Sequence, residues 1–253
     1  MAAIQERIEG PDLILFVHGL GCAKESFSTA WDSHVLEDYS LLAPDLPGHG
    51  DTPLDPWGCR MEDYATFLKS VVVARRWKRL HVVAHSMGGA AALLLDRFEG
   101  LPLSSFINVE GNLIAEDCAL LSRRAAESRF KDFLEQDFNK LLAKAAQADD
   151  KAVRAWAEWS KRCDPKAYHG ACKSLVAWSD SGKLLDRYKK LTVPKAYIYG
   201  EKSANPAVLK KLDGERCIQI DGAGHFIMQE RPNVFFRLIA KIIGEATPPP
   251  GSD

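Results

Sequence analysis

The sequence predicts an α/β fold: a mostly parallel, doubly wound sheet with helices on both faces and a helical cap inserted between two strands. Three observations point to it. Short apolar runs alternate with longer amphipathic stretches, the rhythm of right-handed βαβ units. The runs are β-branched or aromatic and do not alternate apolar with polar, which suits strands covered on both faces. The connection from Glu110 to Lys195 is far too long for a simple crossover helix.

In chain order, strands are expected at 13–17, at 41–43 (closed by Pro44), at 80–84, at 106–109, at 196–199 (stopped by Gly200) and at 217–220. Helices are expected at 61–77, where Tyr64, Phe67, Leu68, Val71 and Val72 fall at helical spacing, and at 86–98 and 232–243. The long connection reads as three helices, 115–146, 151–162 and 168–188. The expected organisation is a core of residues 1–111 and 191–245, a cap of 112–190, and a frayed tail of 246–253 carrying Pro248-Pro249-Pro250-Gly251.

The chain has 253 residues, 46% of them apolar and 26% charged, enough to bury a full core without staples. A net charge of −1 offers no global field for nucleic acid or an anionic membrane surface. The six cysteines, Cys22, Cys59, Cys118, Cys163, Cys172 and Cys217, show neither CxxC spacing nor companion histidines. They are expected as free thiols in a reducing cytosol, with no metal site. The first ten residues lack the apolar region of a signal peptide, and no apolar run approaches the roughly 20 residues of a membrane helix. A cytoplasmic protein is expected, and the sequence leaves the oligomeric state open.

Three stretches carry chemistry. In Val82-Val83-Ala84-His85-Ser86-Met87-Gly88-Gly89 a strand runs straight into a serine, then glycines, then a helix. Such a turn exposes the serine hydroxyl at the carboxyl end of the sheet, with helix N-terminal amides behind it. The pattern approximates G-x-S-x-G, with Ala84 in place of the first glycine. The bland alternative is a serine capping a helix. In Phe16-Val17-His18-Gly19-Leu20-Gly21 a glycine-rich turn follows the first strand, so the Leu20 and Met87 N–H groups are candidate oxyanion donors. His18 reads as a scaffold residue there. In Asp221-Gly222-Ala223-Gly224-His225-Phe226 a glycine-flexed loop carries an imidazole that can take the serine's proton. Of the seven histidines, only His225 combines a strand-end loop with flanking glycines.

Together these stretches resemble the α/β-hydrolase superfamily, in its small lid-bearing esterase and lipase-like branch, with core matches at 12–111 and 191–244. Asp45-Leu46-Pro47-Gly48-His49-Gly50 matches a turn common in that branch. The resemblance implies an α/β-hydrolase fold, a triad in the order Ser, acid, His, and no cofactor. It implies a serine hydrolase acting on a small-molecule carboxylic ester or related acyl bond. Carbon–carbon bond hydrolases and lactonases share that machinery, and a non-catalytic receptor on the same fold is the alternative of another class. Dehalogenases and epoxide hydrolases need an Asp where this chain has Ser86.

The triad acid is the ambiguous member. Most of the family carries it three residues past the Gly ending a later strand, and here that place holds Ser203. Glu110, at the end of the 106–109 strand, also faces the carboxyl edge, and some superfamily members place their acid there. Glu110 is the preferred candidate, Glu201 the alternative. The cap tryptophans Trp156, Trp159 and Trp178 either line a substrate pocket or pack the cap on the core.

Overall fold

The structure is a computed structural model describing residues 1–118 and 121–246; the expected tail lies outside the described residues from 247 onward. Its sheet contains β1 (Ile4–Arg7), β2 (Asp12–Val17), β3 (Ser40–Pro44), β4 (Arg79–His85), β5 (Leu103–Val109), β6 (Lys195–Gly200) and β7 (Cys217–Ile220). The spatial order is β1-β3-β2-β4-β5-β6-β7. All pairings are parallel except β1 with β3. The six expected strands are present, and β1 is an addition. Ile4-Gln5-Glu6-Arg7 is mostly polar because an edge strand needs no continuous apolar run. The Arg7 guanidinium ties this edge to the Leu36 carbonyl at 2.5 Å.

Two apolar layers sandwich the sheet, and alternate residues of each strand serve opposite layers. Ile14, Phe16, Val83, Ile107 and Ile198 face one cluster. Leu13, Leu15, Val17, Val82 and Ala84 face the other. Helices α1 (Met61–Val73) and α2 (Met87–Leu93) build the second layer. The helix expected at 61–77 stops at Val73, and the Trp77 indole N–H then caps the Val72 carbonyl at 2.9 Å. The helix expected at 86–98 tightens into a 3₁₀ turn at Leu94–Arg97.

Among the described residues the regular elements of the insertion between β5 and β6 are all helices, more segmented than expected. It runs through α3 (Leu121–Glu127), the single turn α4 (Phe130–Asp132), a π-helical turn at Phe133–Phe138, and α5 (Asn139–Ala145). Then follow α6 (Lys151–Ser160), α7 (Pro165–Asp180) and α8 (Lys183–Lys190). The expected 168–188 helix is therefore two, parted at Gly182, whose φ of 71° leaves the helical region. Asp150 and Asp164 cap α6 and α7, each accepting an amide N–H at 2.7 Å. Leu184 and Tyr188 of α8 reach the second core layer.

After β6 come α9 (Pro206–Lys211), the short α10 (Ile227–Glu230) and α11 (Pro232–Glu245). Phe235, Phe236, Ile239 and Ile243 of α11 close the first layer. Among the described residues no helix is long and apolar enough to cross a membrane.

Phe236 meets Phe16 edge-on, with ring centroids 6.2 Å apart, in fully buried surroundings. Phe236→Ala is expected to cost about 3–5 kcal/mol, read as a lower urea midpoint with an unchanged slope.

Candidate active site

The register of the sheet determines what meets at its carboxyl edge. His85 pairs with Val109, Val109 with Ile198, and Gly200 with Ile220. The residues leaving β4, β5, β6 and β7 therefore emerge side by side. Ser86 leaves β4 at φ 54° and ψ −126°, a conformation L-residues rarely adopt. Its N–H donates to Val109 O at 3.0 Å, and its carbonyl accepts from Gly89 N–H at 2.9 Å and Asn112 N–H at 3.3 Å. The strained turn is thus pinned to the end of β5. Gly88 makes it feasible, since a Cβ there would lie 2.7 Å from Val17 O. Ser86 makes no side-chain cap bond to α2, which removes the capping explanation for it.

Glu110 leaves β5 at φ 47°, next to Ser86. Its Oε2 lies 2.6 Å from His225 Nδ1. Its Oε1 accepts the Gly200 N–H at 2.7 Å and the Ser203 hydroxyl. The carboxylate is 7% exposed and the imidazole 41%, so the acid is sealed while the ring can be reached. Three donors on one buried carboxylate offset the cost of burying its charge. Glu201 lies elsewhere, accepting the Gly222 N–H at 2.8 Å. Ser203, where the family pattern would place an acid, donates to Glu110 instead.

The His225 loop is gripped from two sides. Glu230 accepts the Gly224 N–H at 2.5 Å and the Phe226 N–H at 3.0 Å. On the nucleophile side, the buried His85 ring lies 4.6 Å from the His225 ring, and its Nε2 lies 3.0 Å from the His225 carbonyl. His225 is therefore beside the Ser86 turn, although no hydrogen bond joins its ring to the Ser86 hydroxyl among the described residues. Such contacts often tighten only when substrate binds.

The turn after β2 completes the edge. A Cβ at Gly19 would stand 3.0 Å from Ser86 Cβ, so this loop lies against the serine. Among the described residues, no protein acceptor takes the backbone N–H of Leu20 or of Met87. His18 is a scaffold residue, as expected: its Nε2 accepts the Leu46 N–H at 2.9 Å and its Nδ1–H donates to Gly19 O at 2.8 Å. The Asp45–Gly50 turn wraps the buried Asp45 carboxylate, which accepts from Lys24 Nζ and the Asp51 N–H, each at 2.8 Å. All six cysteines are free, and no cluster suited to a metal ion occurs among the described residues.

Ser203, Gly200, Glu230 and His85 were not singled out by sequence. Their contacts join segments far apart in the chain, those of Glu230 with Gly224 and Phe226 excepted, and three of the four involve backbone groups that no residue pattern marks. For Ser203 the spacing from Gly200 was the available signal, read as a missing acid rather than a donor.

The geometry agrees with the family comparison: the profile of the alpha/beta hydrolase family matches residues 14–238. The chain belongs to that family. It is 26% identical over 134 residues to a Mycoplasma pneumoniae protein provisionally named esterase/lipase 2, and the match spans 50% of each chain. It is 35% identical over 81 residues to a serine hydrolase-like protein of Danio rerio, spanning 31% of this chain and 24% of that one. The chain thus spans half or less of these curated relatives. Among solved structures, the N-acyl homoserine lactonase AidH superposes with a TM-score of 0.77 at 19% identity, covering 98% of this chain and 94% of that one.

The buried histidines of this alpha/beta hydrolase predict a pH dependence. Burial pushes His18 down to about 4 and His49 to about 3, and burial beside His225 holds His85 well below the usual range. Unfolded, each titrates near ~6.5, so below that pH the unfolded chain binds more protons. Their contribution to stability is complete above pH ~6.5 and lost as the pH falls towards about 4 and, for His49, about 3. Urea midpoints should decline across that window; a flat profile would contradict these assignments.

Proposed function

We propose that the protein is a serine hydrolase that cleaves a carboxylic ester, or a related acyl bond, of a small molecule through an acyl-enzyme intermediate. Family membership supports hydrolysis as the reaction class. The observation that carries the finer reading is the Glu110–His225 hydrogen bond set beside the strained, accessible Ser86.

In this reading Glu110 fixes the imidazole tautomer through Nδ1–H, leaving Nε2 as the base. His225 takes the Ser86 proton as Oγ attacks the carbonyl carbon. Negative charge collects on the former carbonyl oxygen, towards the open N–H groups of Leu20 and Met87. As the intermediate collapses, His225 gives its proton to the leaving oxygen. Water then attacks the acyl-enzyme with His225 again as base, and the acid departs. Ser203 and Gly200 hold Glu110 Oε1 so that Oε2 stays on the ring.

Hydrolysis of p-nitrophenyl esters of graded chain length tests this. Ser86→Ala should show no turnover above buffer; turnover equal to wild type would refute the nucleophile. Glu110→Gln should lower kcat by about 10⁴, while Glu201→Gln stays near wild type; the reverse pattern would move the acid to Glu201. Ser203→Ala should lower kcat about tenfold, the worth of one hydrogen bond to a charged group.

A further inference from the structure

The helical insertion reaches into the turn that carries Leu20. Trp156 Nε1–H donates to Leu20 O at 2.9 Å, and the Ser160 hydroxyl donates to Gly21 O at 2.8 Å. Both side chains lie on α6, four residues apart and so on one face, and both are buried. Contact with the turn is close. Gly21 has a φ of 66°, and a Cβ there would overlap the Ser160 hydroxyl and stand 3.0 Å from Trp156 Nε1. The preceding carbonyl, Gly19 O, is held from the core side by His18 Nδ1–H at 2.8 Å and Cys22 N–H at 3.1 Å.

Three successive carbonyls of the turn thus have fixed donors, and two of those donors come from the insertion. A planar peptide unit points its N–H opposite its C=O. The unit that carries the Leu20 N–H is that of Gly19 C=O, held by His18 and Cys22; α6 holds the two units that follow, through Leu20 O and Gly21 O, and so restrains the aim of the Leu20 N–H through the adjoining plane. That amide lies in a glycine-flanked turn with little intrinsic preference for one orientation.

We propose that Trp156 and Ser160 are positioning residues for the oxyanion loop, so that seating α6 on the turn and aiming the Leu20 N–H at the reacting carbonyl are one event. The inference rests on the reading of Leu20 as an oxyanion donor. It assigns Trp156 a role other than lining the substrate pocket. A substrate that binds without letting α6 reseat is held but reacts slowly, so the effect falls on kcat rather than on KM.

The test compares Trp156→Phe, Ser160→Ala and their double variant with Trp159→Phe. Trp159 sits on the same helix, packs against the core and makes no hydrogen bond to the turn among the described residues. Each is measured for kcat and KM on the best p-nitrophenyl ester, for inhibition by a trifluoromethyl ketone of matching chain length, and for thermal midpoint. The ketone forms a tetrahedral adduct whose oxyanion uses the same donors. Each single variant should lose about tenfold in kcat and the double about 10²-fold, within the range for losing one oxyanion donor. KM should stay within about twofold, ketone affinity should fall in parallel with kcat, and Trp159→Phe should behave as wild type. A double variant with wild-type kcat, a rise confined to KM, or unchanged ketone affinity would overturn the proposal. If Ser160→Ala fails to fold, Trp156→Phe alone decides by the same criteria. An active Ser86→Ala removes the underlying reading; an inactive Ser86→Ala beside a fully active double variant removes this inference alone.

Discussion

Glu110 carries a carboxylate at the end of a central strand, sealed from water and surrounded by donors: the Gly200 amide, the Ser203 hydroxyl and the His225 ring. A charge in that setting is tolerable only because every donor is in place. The contact has geometric consequences in both directions. Towards β6 and β7 it requires the strand ends to stay in register, since Gly200 pairs with Ile220 and the His225 loop begins just beyond. Towards β4 it orients an imidazole beside a serine whose backbone is bound to the end of β5. The sheet positions the site because four adjacent parallel strands end together, which is where ligands collect in open α/β sheets.

Much of this was legible in the sequence. The five inner strands were readable because strands covered on both faces must be continuously apolar, and β7 at the far edge was readable through Ile218 and Ile220. β1 was not, because an edge strand half in water carries polar residues such as Gln5 and Glu6. The long insertion was recognisable by length and helical spacing, while its internal breaks were not. A left-handed glycine at position 182 and a π-helical turn at Phe133–Phe138 interrupt a pattern that apolar spacing alone carries through. At the site, Ser86 and His225 stood out through the small residues their turns require. Spacing alone could not choose between Glu110 and Glu201, which both follow strand ends at one edge. In the structure Glu110 is on the imidazole and Glu201 is on a backbone amide of the neighbouring turn, which supports the proposed assignment.

The supporting contacts show how such a site is stiffened. His18 and the Asp45 turn brace the Leu20 loop from the core, α6 braces it from the insertion, and Glu230 with His85 brackets the His225 loop. Several of these link a side chain to a backbone group far away in sequence, as His18 to Leu46, Trp156 to Leu20 and His85 to His225, while Glu230 acts within its own loop. They hold glycine-rich turns in one conformation, as the proposed stabilisation of an oxyanion requires. The insertion thereby joins the architecture of the edge through α6.

The central claim is that hydroxyl, imidazole and carboxylate act in series beside two open amides. A crystal structure of the protein after reaction with a fluorophosphonate tests it most directly. The account predicts a phosphonyl group on Ser86 Oγ, its oxygen within hydrogen-bond reach of the Leu20 and Met87 N–H groups, and His225 Nε2 facing the adduct with Nδ1 still on Glu110. A label on another residue, an oxygen turned away from both amides, or an imidazole parted from Glu110 would contradict it.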